Sequence, residues 1–189
     1  MVEYSRNRYP RASFSQRDLC ALSAFETGSF DVIVATYNVI DVLCDRERRD
    51  VLDEIHRVLV PGGLLMMSTH NRGYASRLAE PLQLRGRSPL RTAITLARLP
   101  RWLRNRRRLL GLQRSEPGYA ILNDISHDFA ALHYYIWRDD QERQFAEHGF
   151  ELEECLDLDG RRVESDHGAP DCSELHYVAR RRTTVGEPA

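Results

Sequence analysis

The sequence predicts one α/β domain built on an open, mostly parallel sheet, with an antiparallel hairpin at its end. Three observations carry this. Phe30–Thr36 is a β-branched run, Arg46–Leu59 is amphipathic at helical spacing, and Leu64–Ser68 is a second apolar run following Pro61-Gly62-Gly63. Strand, helix and strand in that order form a right-handed crossover, the repeating unit of parallel sheets.

Taken in order, Ala12 to Arg17 reads as a short strand ending at Asp18-Leu19, and Ser23 to Ser29 as a turn-rich connection. Phe30-Asp-Val-Ile-Val-Ala-Thr36 is nearly continuous in apolar residues, the pattern of a strand covered on both faces. Asp45 is expected to cap the next helix, in which Val51, Leu52, Ile55, Val58 and Leu59 share one face and charges fill the other. Pro61-Gly62-Gly63 should stop that helix before the buried strand Leu64–Ser68.

From Arg72 to Leu112 the pattern changes. Ser88-Pro89 opens a helix carrying Leu90, Ile94 and Leu96, Pro100 is expected to interrupt it, and Trp102–Leu110 continues with a dense arginine face. So long a segment is expected to form a helical cap over one end of the sheet. Beyond it, Asp139 or Asp140 caps a helix running through His148 and ended by Gly149. Phe150–Leu158 and Leu175–Arg180 read as strands joined by a long polar connection, and Thr183–Ala189 as a disordered tail.

Composition narrows the function. The 189 residues are 42% hydrophobic, enough for a core, and the formal net charge is −1. A global field drawing the chain onto nucleic acid or membrane is therefore not expected. All the basic charge except histidine is arginine. Cys20, Cys44, Cys155 and Cys172 form no Cys-x-x-Cys pair, so neither a zinc knuckle nor a disulfide framework is indicated. No apolar run is long enough to span a bilayer and none resembles a signal peptide, which makes the cytoplasm the expected location.

Phe30-Asp-Val-Ile-Val and His56-Arg-Val-Leu-Val-Pro-Gly-Gly-Leu-Leu-Met together resemble class I S-adenosylmethionine-dependent methyltransferases. That family pairs "SFDVV" with a helix ending in "E-x-x-R-V-L-K-P-G-G". Glu54, Arg57, Val58, Leu59, Pro61, Gly62 and Gly63 match, and Val60 stands where the basic residue is usual. Phe14-Ser-Gln-Arg-Asp18-Leu19 looks like the family's third strand, and Tyr135–Phe150 with Tyr177-Val-Ala-Arg like its closing helix and hairpin.

The resemblance implies a Rossmann-like methyltransferase sheet with N-terminal strand or strands missing, a helical cap insertion and an antiparallel C-terminal hairpin. Residues 1–71 are then a partial cofactor-binding region, 72–132 a helical cap or substrate region, 133–182 the α/β completion of the same domain, and 183–189 the tail. The implied cofactor is S-adenosylmethionine and the implied partner a small-molecule O or N methyl acceptor.

By the same resemblance Glu3 would be the ribose carboxylate, Asp18 would accept from the adenine amino group beside Leu19, and, where cofactor and acceptor meet, Tyr37 would flank the sulfonium and Asn38 orient an acceptor group. Asp41, His133 and Tyr135 are candidate acceptor-binding residues, and His70 with Asn71 the candidate base and its helper. Rival roles in turns, caps and packing stay open for each. The spacing of His127, Asp128 and His133 does not put both imidazoles on one helical turn, so no metal site is expected. Arg98, Arg101, Arg104 and Arg106–Arg108 form one local basic cluster; a solvated helix face is the expectation, with an RNA footprint as the rival.

No strand followed by Gly-x-Gly is present. The chain is accordingly expected to be truncated, marginally stable and a poor cofactor binder alone, prone to self-association through an unpaired sheet edge. The competing expectation is a non-catalytic remnant acting as an interaction module.

Overall fold

The computed structural model describes residues 2–79 and 88–183. A short helix α1 (Val2–Arg8) precedes an irregular stretch. Strand β1 (Phe30–Ala35), helix α2 (Asp45–Val58) and strand β2 (Leu59–Asn71) follow as the expected crossover, β1 and β2 lying parallel. A 3-10 turn (Arg72–Ala79) leads to α3 (Pro89–Leu109), then β3 (Arg114–Ser115), β4 (Tyr119–Leu122) and β5 (His133–Ile136). Helix α4 (Arg138–Glu147) and the strands β6 (Phe150–Leu156) and β7 (Glu174–Arg181) complete the order.

One seven-stranded sheet results, with the order β3-β4-β5-β2-β7-β6 and β1 joined to β2. β2 runs antiparallel to β7 along one edge. Its other edge is shared lengthwise: β1 pairs with Leu64–Met67, and β5 takes over at His70 and Asn71, also parallel. β6 and β7 are the expected antiparallel hairpin.

The core lies between this sheet and helices α2 and α4. Val51, Leu52 and Ile55 of α2 and Phe145 of α4 pack on Leu65, Met67, Tyr177 and Ala179. Each large apolar side chain so buried contributes about 1.5–3 kcal/mol.

Several local expectations change. Residues 12–17 are not a strand, since among the described residues no strand pairs with them. Cys44, not Asp45, is the N-cap of α2; Glu47 reaches back to its backbone N–H in a capping box. The Pro-Gly-Gly segment lies inside β2 rather than between helix and strand. Gly63 is required there, because a Cβ would stand 3.0 Å from the Asp31 carbonyl of β1. α3 runs through Pro100 without a break. The predicted strands Phe150–Leu158 and Leu175–Arg180 shift to the bounds of β6 and β7. Segment 72–132 is not purely helical, as β3 and β4 extend the sheet from within it. The expected tail at 183–189 lies, beyond Thr183, outside the described residues.

Two further differences bear on function. Val32 and Val34 are 47% and 61% exposed, so β1 is covered on one face rather than both. Among the described residues β1 pairs with β2 alone, and its second edge is open. No helix of the described residues is long and apolar enough to cross a membrane.

Candidate functional site

The register of β5 on β2 builds the site. His70 sits opposite Tyr135, and side chains opposite one another in a sheet share a face. His133, two residues before Tyr135, shares that face too. The rings therefore stand in a row: Tyr135 to His70 at 4.9 Å, His70 to His133 at 5.2 Å, and His133 to His127 at 5.9 Å. The three histidines of this row line a cleft of about 330 Å³ at the carboxyl end of β1, closed by Asn38, Val39, Val42 and Glu174. Ligands bind at that end of open α/β sheets.

Asp41 holds His70 from behind. One carboxylate oxygen accepts from the His70 backbone N–H at 2.7 Å and from Nδ1 at 2.8 Å. The other accepts from Thr69 Oγ1 at 2.7 Å and from the Arg48 guanidinium. Arg48 and Asp41 are both buried, and Gln141 and Gln144 of α4 with Thr69 Oγ1 accept from the rest of the guanidinium. A carboxylate with four donors must accept from Nδ1, so the Nδ1–H tautomer is assigned to His70. Nε2 then keeps its lone pair toward the cleft, 3.3 Å from Asn38 Nδ2.

His133 has a similar partner. Its Nδ1 lies 2.9 Å from Asp124, which also accepts from Tyr135 Oη at 2.5 Å and from the Ser126 backbone N–H at 2.7 Å. Burial pushes the Asp124 carboxyl up, but the bonds from His133 and Tyr135 outweigh it and hold the group below the usual carboxylate range. Burial, and then the Asp124 bond, push the Tyr135 phenol up, so it stays protonated and donates.

The backbone is strained where it meets the cleft. Among the described residues, the non-glycine residues with positive φ are Tyr37, Asn38, His127, Asp128 and Phe129, all in two segments that border it. Such conformations cost on the order of 1–3 kcal/mol each and gather at functional sites. Asn38 tolerates its φ of 54° better than Tyr37 tolerates 60°, because a short amide bonds locally. Asn38 donates to Glu174 at 2.7 Å, while its Oδ1 is buried with no partner.

The sequence-predicted residues divide accordingly. His70, Asn38 and His133 come together on the cleft, with Tyr37 at its rim and 90% exposed. Asp41 and Tyr135 do not face an acceptor: both are buried, and their polar atoms are engaged by Arg48, His70 and Asp124. Asn71 is a correction as well. It is buried, donating to the carbonyls of Ala169 and Cys172 and accepting from Gly73 N–H, so it anchors the 169–173 loop. Glu3 lies in helix α1 instead of at a strand end, exposed. Asp18 accepts from the Cys20 backbone N–H in a local turn, with Leu19 exposed beside it. Asp128 leaves the His127 pair to bond Trp102 Nε1 at 2.8 Å and to face Arg98 and Arg101.

The residues missed are Arg48, Asp124, His127 as a cleft residue, and Glu174. Only Arg48 left a sequence signal: it lies three and four residues before Val51 and Leu52, on the apolar face of α2, where an arginine must find a buried partner.

Comparison with known proteins agrees with this architecture. Residues 1–63 match the family model of a methyltransferase domain. No curated protein matches. The 1,6-didemethyltoxoflavin-N1-methyltransferase of Burkholderia thailandensis, solved with 1,6-didemethyltoxoflavin and S-adenosylhomocysteine, is 12% identical with TM-score 0.55 over 96% of this chain and 56% of its own. An S-adenosylmethionine-dependent methyltransferase from Clostridium acetobutylicum is 11% identical with TM-score 0.56 over 96% and 71%. The CcbJ methyltransferase of Streptomyces caelestis is 14% identical with TM-score 0.55 over 96% and 75%. The chain thus spans little more than half the length of the first of these.

The fold is that of Rossmann-like methyltransferases, and S-adenosylmethionine is the cofactor that the sequence resemblance implies. The described residues do not fit that whole group. Glu3 is on a helix, Asp18 is spent on its own turn, and the open edge of β1 carries no glycine-rich strand-turn.

Proposed function

We propose, on the premise of this methyltransferase fold, that the chain carries the acceptor half of a methyl-transfer site, for a small molecule with a methylatable oxygen or nitrogen. One observation supports it most: a histidine held by a buried carboxylate presents a lone-pair nitrogen to a cleft at the carboxyl ends of β1 and β2. Nε2 of His70 would take the proton of a hydroxyl as its oxygen attacks, or that of a protonated amine before its nitrogen attacks, and Asp41 would stabilise the imidazolium so formed. Val39 and Val42 give the cleft an apolar side, while Asn38 and Glu174 would offer the acceptor polar contacts.

Calorimetric titration of the full chain with S-adenosylhomocysteine tests the donor half. Saturable one-site binding supports a complete site. Absence of binding by a folded, monodisperse sample would limit the chain to the acceptor half. Methylation of no small-molecule acceptor in a chain that does bind would remove the proposal.

The open edge and bare face of β1 favour a second reading, self-association through that strand, with Val32 and Val34 exposed on it. A free parallel edge is a template for another strand. Val34→Lys is then expected to shift the chain toward monomer in sedimentation velocity at tens of micromolar; an unchanged distribution would remove this reading.

A further inference from the structure

We propose that the cleft binds one divalent transition-metal ion through His70, His133 and Asp124. A donor atom from each of these three lies within 4.8 Å of the others. An ion bonded at about 2.0–2.2 Å to nitrogen and oxygen draws its donors to roughly 3–4 Å apart, so small side-chain movements close the set. The residue types fit: two imidazoles and one carboxylate suit zinc, iron, cobalt or nickel, and not calcium or magnesium.

The surroundings match those of a metal site. His133 and Asp124 are buried, while His70 is partly exposed toward the cleft. An ion would be enclosed on the protein side and open on the cleft side, leaving positions free for a ligand. The supporting bonds are already in place: Asp41 fixes His70 through Nδ1, and Tyr135 Oη and Ser126 N–H fix Asp124. Bonds of this kind orient metal ligands and set their tautomers. His70 would offer Nε2, the nitrogen that Asp41 leaves free. At the His133–Asp124 contact the ion would replace the shared hydrogen, which moves to His133 Nε2 as the tautomer changes. The left-handed segment 127–129 holds the His127 ring beside His133, placing a further imidazole at the rim.

No spacing within one segment builds this set, because His70 reaches it from β2, His133 from β5 and Asp124 from the end of β4. The inference stands apart from methyl transfer. Ion and proton would use the same lone pair of His70, so a metal-loaded chain could not use His70 as a base.

The test is titration of the chelator-treated full chain with zinc by calorimetry and with cobalt by visible absorption. One ion per chain is expected, with affinity lowered at least about tenfold in His70→Gln and in His133→Ala, and unchanged in the exposed-histidine control His167→Ala. Circular dichroism checks folding; should His133→Ala fail to fold, His70→Gln decides alone. Wild-type affinity in the folded variants, or no saturable binding by the folded parent, overturns the proposal.

Discussion

Asp41→Ala should lower the unfolding free energy by about 3–5 kcal/mol, the largest stability loss expected of any single substitution near the site. Arg48 and Asp41 both have fully buried side chains, so removing the carboxylate strands a guanidinium in the core. Gln141, Gln144 and Thr69 would still accept from it, but neutral acceptors cannot balance its charge. The ring of Tyr134, 4.7 Å from the guanidinium carbon, offsets a little of the loss. The double replacement Asp41→Leu with Arg48→Met should recover most of it, since the desolvation cost of both charges then disappears. Urea denaturation checks this directly. Glu147→Ala gives the contrast, because the Arg49–Glu147 pair is partly exposed and worth about 0–1 kcal/mol. A loss below about 1 kcal/mol on Asp41→Ala would mean that water reaches Arg48.

His70→Gln should cut methyl transfer by about 10²–10⁴-fold while leaving acceptor affinity nearly unchanged. Glutamine can keep a bond to Asp41 and fill most of the ring's space, so fold and cleft shape persist. It has no nitrogen lone pair able to accept a proton. The split between turnover and binding separates a base from a packing residue, which would move both or neither. Equal turnover in the variant would show that the acceptor reacts without losing a proton to His70, and the role would pass to the solvent or to His133. Asn38→Ala makes a useful companion: it removes the 2.7 Å bond to Glu174 and the neighbour of Nε2, and should raise the acceptor's KM more than it lowers kcat.

How far the site could be read in advance differs from residue to residue. His70 was legible because it follows an apolar run, and the residue after such a strand lies at the ligand-binding edge. Asn71, one position further, looked equivalent. The pleat turned it the opposite way, onto the carbonyls of Ala169 and Cys172. Asp41 was legible as an acceptor-binding candidate but not as buried. Its partner, Arg48, sits seven residues away, and Gln141 and Gln144 reach it only because α4 packs beside α2. Glu3 differs for a local reason: Met1-Val2-Glu3-Tyr4-Ser5 resembles the end of the family's second strand in letters, but Val2–Arg8 forms a helix.

The sequence by itself determined the periodicities, and with them β1, α2, β2, α4 and the β6–β7 hairpin in their order. These rest on local patterns of apolar and polar residues, on a capping box and on glycines where the backbone crowds. Tertiary structure alone decided which side chains meet. The parallel pairing of β5 on the end of β2 sets His70 beside Tyr135 and His133, and the antiparallel pairing of β4 brings Asp124 to them. The physical reason is that register and helix packing join residues far apart in the chain, through contacts whose partners no local pattern encodes.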